Sequence, residues 1–279
     1  HINRMREASR LPLFCPNIPA SPHVKLATMS LVLSHSQTGN GPPLLILHGL
    51  FGSKRNWSAI AKVLAEHHTV YTLDLRNHGE SQWEETNSYE DMSGDLARLI
   101  DTPSDVIGHS MGGKSSMMLA LTHPEKIRRL IVADIAPVTY SHTQKHLIDA
   151  MRKVDLAAVT MRRDADEQLA VQVPEATVRA FLLQSLDVKA KRWRLNLDVL
   201  DDQMDQIMTF PETGGASFPG PTLFLTGANS DYVQREHRNR IKSLFPAAQF
   251  AKIPDAGHWL HAENPRAFEA AVRVFLDRD

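Results

Sequence analysis

Short apolar runs alternate with helical periodicities along most of this chain, starting near residue 24. Residues 24–34 read as a first strand or pair of strands. Residues 44–48, set off by Pro42-Pro43, form an apolar run typical of a strand buried on both faces. Residues 57–66 fit a helix, and Thr69–Leu73 the next strand. Over residues 89–100, Tyr89, Met92, Leu96 and Leu99 recur on one helical face. Residues 105–108 are a short strand running into a helix over 111–121. Strands follow at 129–133, 223–226 and 250–253, and the helix Pro265–Leu276 closes the pattern. Such alternation predicts an α/β fold with a doubly wound, mostly parallel sheet and right-handed crossovers. Residues 138–215 break the rhythm. Helical periodicity persists there at 156–159, 176–186 and 193–207 with no convincing strand, which predicts an all-helical insertion. Gly214-Gly215 and Pro219-Gly220-Pro221 mark its return. The expected organisation is a leader over 1–22, a core over 23–137 and 216–279, and a helical cap over 138–215.

Composition narrows the partners more than the fold. The 279 residues are 42% hydrophobic and 23% charged, enough apolar content for a sizeable core. A formal net charge of −1 points to neither nucleic acid nor an anionic membrane surface. The 14 histidines form no HExxH or Cys/His array, so no metal is indicated. The one cysteine, Cys15, excludes an intrachain disulfide framework and lies far from the other reactive residues. No run approaches the roughly 18 apolar residues of a membrane span. Residues 1–22 set Arg4, Arg6 and Arg10 against Glu7 and continue through Pro12, Pro16 and Pro19. They read as a disordered leader or the remainder of an organelle-targeting peptide. Mitochondrial localisation is the expectation, with the cytoplasm as the alternative.

The chemistry concentrates in Gly108-His109-Ser110-Met111-Gly112-Gly113, a G-x-S-x-G between an apolar strand and a helix. The turn is too tight for side chains at its flanking glycines. It projects the Ser110 hydroxyl at a helix N-terminus, where the dipole favours negative charge. An oxyanion hole needs two convergent N–H groups. Met111, the residue after the nucleophile, supplies one; Leu50, in His48-Gly49-Leu50-Phe51-Gly52 after the strand at 44–48, supplies the other. His258, in Asp255-Ala256-Gly257-His258-Trp259 beyond the last strand, is the expected general base. His109 points the wrong way on the elbow, His48 and His78 look structural, and His261 is expected to hydrogen-bond locally. Two acids compete to orient the base. Asp134 ends the strand after the elbow helix, and Asp231 follows the strand after the insertion. Spacing alone favours Asp231 and does not decide.

These segments resemble the α/β-hydrolase superfamily. The sequences over 48–53, 74–81, 108–114 and 256–263, with Trp193-Arg194-Leu195-Asn196-Leu197, are similar to one branch of it. That branch holds YbfF-type bacterial esterases, mitochondrial abhydrolase-domain proteins and fungal ethanol acetyltransferase/hydrolase enzymes. The resemblance implies the α/β-hydrolase fold with a helical lid before the last strands. It places the triad acid at Asp134; the branch often lacks an acid in the later slot, whereas this sequence carries Asp231 there, and that departure keeps Asp231 as the alternative. It implies hydrolysis of short-chain acyl esters or thioesters through an acyl-enzyme on Ser110, with no cofactor. Alcohol O-acetyltransfer from acetyl-CoA, yielding an ester such as ethyl acetate, is the alternative. Ser110 at the nucleophile position excludes aspartate-nucleophile dehalogenases and epoxide hydrolases. A non-catalytic ligand receptor on the same fold is the competing class. The sequence leaves oligomeric state open.

Overall fold

A computed structural model describes residues 33–277; the expected leader and most of the strand expected at 24–34 lie outside them. The first described strand, β1 (His35–Thr38), is exposed along its whole length and pairs antiparallel with β3. An all-polar, one-layer edge strand leaves no apolar run to read, which is why the sequence placed no strand there.

The remaining strands are β2 (Pro43–Leu47), β3 (Thr69–Leu73), β4 (Ser104–His109), β5 (Ile127–Ala133), β8 (Thr222–Gly227) and β9 (Ala248–Ile253). The seven stand in the order β1-β3-β2-β4-β5-β8-β9, all parallel except β1. Successive side chains point to opposite faces, so each central strand feeds two cores. On one face Leu44, Ile46, Ile107, Ile131 and Leu225 pack with α1 (Ser58–Leu64) and α11 (Pro265–Leu276). On the other, Leu45, Leu47, Val106, Val132 and Phe224 meet α2 (Tyr89–Leu99), α3 (Met111–Thr122) and α9 (Arg238–Leu244). The chain steps outward from β2 to β3, then returns to the far side of β2 for β4. That reversal opens a crevice beyond the carboxyl ends of β2 and β4, where open α/β sheets bind ligands.

Between β5 and β8 the chain leaves the sheet. The segment carries α4 (Lys145–Arg152), α5 (Arg162–Leu169), α6 (Ala176–Leu182), α7 (Leu197–Asp202) and α8 (Met204–Met208). It is not all helical. Leu186–Asp187 and Arg192–Trp193 form a two-stranded antiparallel hairpin, β6 and β7. Strands of two residues cannot establish a period-2 pattern. The expected helix at 156–159 is a turn, and α4 and α5 arise where none was expected.

The insertion is anchored to the core by the two sequence segments that the resemblance singled out separately. Asn77, held at φ 64°, accepts from the Asn196 backbone N–H through its carbonyl at 2.9 Å and from the Asn196 side-chain Nδ2–H through its Oδ1 at 3.0 Å. The Gly79 N–H donates to the Arg194 carbonyl at 2.8 Å, and His78 forms a bridge with Leu195. The turn itself is fixed from below, where Arg76 makes a buried bidentate pair with Asp95 at 2.7 and 2.8 Å. Among the described residues no helix is long and apolar enough to cross a membrane. A short α10 (Leu260–Glu263) links β9 to α11.

Candidate active site

Ser110 sits between β4 and α3 at φ 52°, ψ −118°, a conformation that L-residues avoid without enforcement. The glycines around it permit the enforcement. A Cβ on Gly108 would lie 2.3 Å from the Gly112 carbonyl oxygen. The Ser110 N–H donates to Ala133 of β5 at 3.0 Å, and its carbonyl accepts from Lys114 at 3.0 Å, which starts the helix.

The Ser110 hydroxyl donates to His258 Nε2 at 3.1 Å, and His258 Nδ1–H donates to Asp134 Oδ2 at 2.8 Å. Because the carboxylate faces Nδ1, that nitrogen carries the proton and Nε2 is left as the acceptor. Asp134 is fully buried, a costly position for an anion unless donors surround it. It has three: His258, the Gly227 N–H at 3.1 Å and the Ser230 hydroxyl at 2.5 Å. Asp231 does not enter the site; it is exposed. Its neighbours on both sides do. Ser230 holds the acid, and Tyr232 stacks flat on the His258 ring at 4.0 Å and 20°.

The loop bearing His258 is pinned on three sides. Asp255 turns it at φ 53°. Glu263 of α10 accepts from the N–H groups of Gly257 at 2.7 Å and Trp259 at 3.3 Å. His109 Nε2–H donates to the His258 carbonyl at 2.8 Å. His109 thus holds the His258 backbone in place, and burial among other imidazoles keeps it well below the ordinary histidine range. His48 and His78 are structural, as expected. His48 accepts from the Leu75 N–H at 3.0 Å; His78 accepts from the Phe51 N–H at 3.3 Å and is pushed down to about 3 by burial. His261 makes a ring stack on Trp57, 4.0 Å apart, instead of the local hydrogen bond expected of it.

The loop after β2 brings Gly49 and Leu50 beside the elbow, and a Cβ on Gly49 would approach the Ser110 Cβ to 3.1 Å. Neither the Leu50 nor the Met111 N–H joins a backbone hydrogen bond among the described residues, and Met111, as the first residue of α3, has no intrahelical acceptor. The insertion braces this loop: the Ser185 hydroxyl donates to the Phe51 carbonyl at 2.8 Å. Phe51 itself stands at φ 63°.

Ser110 and His258 open onto a cavity of about 550 Å³ lined mainly by apolar side chains, among them Met111, Ile135, Val178, Phe181 and Met208. One cation lines it. Lys114 is almost wholly buried, and burial pushes its ammonium down to about 7. Two contacts escaped sequence reasoning, Ser230 on Asp134 and Tyr232 on His258; Lys114 belongs to the segment 108–114 that carries the resemblance, but its place in the cavity is not read from the sequence. Lys114 alone left a signal, a lysine immediately after an otherwise apolar and small-residue elbow.

A family model described as alpha/beta hydrolase fold matches residues 42–265. A Mus musculus protein named sn-1-specific diacylglycerol lipase ABHD11 is 45% identical over 249 residues, covering 84% of this chain and 81% of its own length. Esterase YbfF of Escherichia coli strain K12 is 35% identical over 244 residues, covering 85% of this chain and 94% of its own. A solved structure described as a marine microorganism esterase superposes with a TM-score of 0.83 at 38% identity, covering 88% of this chain and 100% of that one. The strained serine between strand and helix, the parallel sheet that carries it and these likenesses agree: this chain belongs to the α/β-hydrolase family.

Proposed function

We propose that the chain is a serine esterase that cleaves short-chain carboxylic esters or thioesters through an acyl-enzyme on Ser110. The observation that carries the reading is the continuous relay from Ser110 Oγ through His258 to Asp134, at 3.1 and 2.8 Å, opening onto an apolar cavity. In the first half-reaction His258 Nε2 takes the hydroxyl proton as Oγ attacks the acyl carbonyl. The N–H groups of Leu50 and Met111 receive the oxyanion, Asp134 stabilises the imidazolium, and His258 returns the proton to the leaving alcohol or thiol. In the second, His258 deprotonates water, which attacks the acyl carbon and releases the acid and Ser110. The insertion serves as a lid, since it supplies much of the cavity wall and excludes water from the charge-separated steps.

An alcohol entering in place of water would give acyl transfer from the same intermediate. The relatives named esterase and lipase favour hydrolysis. The test is labelling of the purified protein by a fluorophosphonate together with product analysis on p-nitrophenyl butanoate, and on acetyl-CoA with and without ethanol. Labelling that Ser110→Ala abolishes, with acid as the product, supports the reading. Ethyl acetate as the main product would convert it to an acyltransferase. Absence of both labelling and turnover would leave a ligand receptor. Asp134→Asn is expected to lower kcat by about 10⁴-fold, whereas Asp231→Asn stays within about twofold because its carboxylate touches neither Ser110 nor His258. The reverse order would move the acid to Asp231.

A further inference from the structure

The relay does not use Lys114, yet among the described residues it is the one lysine that lines the catalytic cavity. It sits one helical turn beyond Ser110, about 6 Å along the axis of α3. Its side chain crosses from that helix to the end of the insertion. Nζ donates to the carbonyls of Met208 and Thr209, both at 2.9 Å, and lies 3.5 Å from that of Ile207. These are the carbonyls at the C-terminus of α8, which have no partner within the helix and carry the negative end of its dipole. Two tyrosines complete the junction. The Tyr89 hydroxyl donates to the Ile207 carbonyl at 2.6 Å, and the Tyr140 N–H donates to that of Met208 at 2.9 Å. The ammonium also faces the Tyr140 ring at 4.9 Å and the Tyr89 ring at 5.7 Å. No carboxylate pairs with Lys114 among the described residues. Oriented carbonyls and ring faces hold this cation, and the segment they belong to is the cavity wall: Ile207, Met208, Tyr89 and Tyr140 all line it.

We infer that Lys114 is a positioning residue that latches the end of α8 to the nucleophile helix and so fixes how far an acyl chain extends from Ser110. This deepens the esterase reading and rests on it. With the latch closed, the wall is tied to a residue one turn along α3 from the nucleophile and short acyl groups fit best. Without it, the carbonyls at the end of α8 lose the ammonium and keep the Tyr89 hydroxyl and the Tyr140 N–H, so the wall relaxes and longer chains are admitted. Met in place of Lys keeps the stem and removes the donor.

The experiment compares kcat/KM for p-nitrophenyl butanoate and octanoate in the wild-type protein, Lys114→Met, Lys114→Arg and Tyr89→Phe. Lys114→Met should lower the butanoate-to-octanoate ratio by fivefold or more, mainly through KM. Fluorophosphonate labelling of Ser110 should persist. Lys114→Arg, which keeps donors at the junction, should recover part of the ratio, and Tyr89→Phe should move it the same way as Lys114→Met by a smaller factor. A ratio within twofold of wild type in both Lys114→Met and Tyr89→Phe overturns the latch. If Lys114→Met does not fold, Tyr89→Phe decides alone. Failure of the wild-type protein itself to label or turn over would strike the esterase reading instead.

Discussion

A Cβ at residue 112 would sit 2.5 Å from the His48 carbonyl oxygen and 2.7 Å from that of Leu47. Both are backbone atoms of the neighbouring strand and its loop, so neither can swing aside. Gly112→Ala should therefore push α3 away from β2, separating Met111 from Leu50, at a cost of about 3 kcal/mol in stability. Thermal denaturation and butanoate turnover check this together; a variant with wild-type Tm and activity would mean that the elbow has slack. The same scale explains why the acid was ambiguous in the sequence. Asp134 and Asp231 both follow the carboxyl ends of strands, and spacing fixes neither the turn at φ 52° that aims Asp134 nor the Ser230 hydroxyl that receives it. What decides between two carboxylates is which one finds donors in the dry interior. Two of the donors to Asp134 come from β8 and the loop after it and the third, His258, from beyond β9, all far from Asp134 in the chain.

At the scale of elements, the strands that could be read were those carrying an apolar run, however short. β2 is apolar throughout, and β4, β5 and β8 hold apolar runs at 106–107, 130–133 and 223–225, because helices cover both surfaces of the sheet there. The edge strand β1 and the hairpin β6–β7 could not be read, one for want of apolar residues and the other for want of length. The expected helix at 193–207 is instead strand, link and two short helices. Leu195 turns inward there to meet His78, and Asn196 turns to meet Asn77. This contact joins segments more than a hundred residues apart, and periodicity holds no trace of it. Asn196→Ala removes the side-chain bonds to Asn77 at 3.0 Å and to the Glu84 carbonyl at 3.3 Å. It should cost about 1–2 kcal/mol and raise amide exchange through 183–208 more than in the sheet. Uniform exchange across both regions would show that the insertion opens only with the whole molecule.

For the molecule as a whole, buried histidines set how acid acts on stability. Four imidazoles, those of His48, His78, His109 and His261, lie buried near the carboxyl edge. Burial lowers the affinity of each for a proton, to about 3 for His78 and for His261. The unfolded chain protonates them near their ordinary value of about 6.5. Between that value and about 3 the unfolded state binds more protons than the folded one, so stability is complete above about 6.5 and falls as the pH drops through this window. Denaturant titrations from pH 8 to 4 should show a plateau and then a decline, shallower in His261→Phe, which also removes a buried Nδ1 that lacks a partner. A flat profile down to pH 4 would contradict the burial of these rings as neutral groups.

The junction between the turn at 76–79 and the segment at 194–196 has a practical consequence for protein engineering. Recombination among α/β hydrolases would naturally cut at the ends of the insertion, near 138 and 215, and exchange it as a cassette. Here that cassette carries half of a hydrogen-bonded clasp whose other half lies upstream of Ser110, and it also braces the loop after β2 through Ser185 and Phe51. A donor insertion would arrive without partners for Asn77 and Gly79. Chimeras that transplant residues 76–87 together with the insertion should fold and turn over where simple cassette swaps do not.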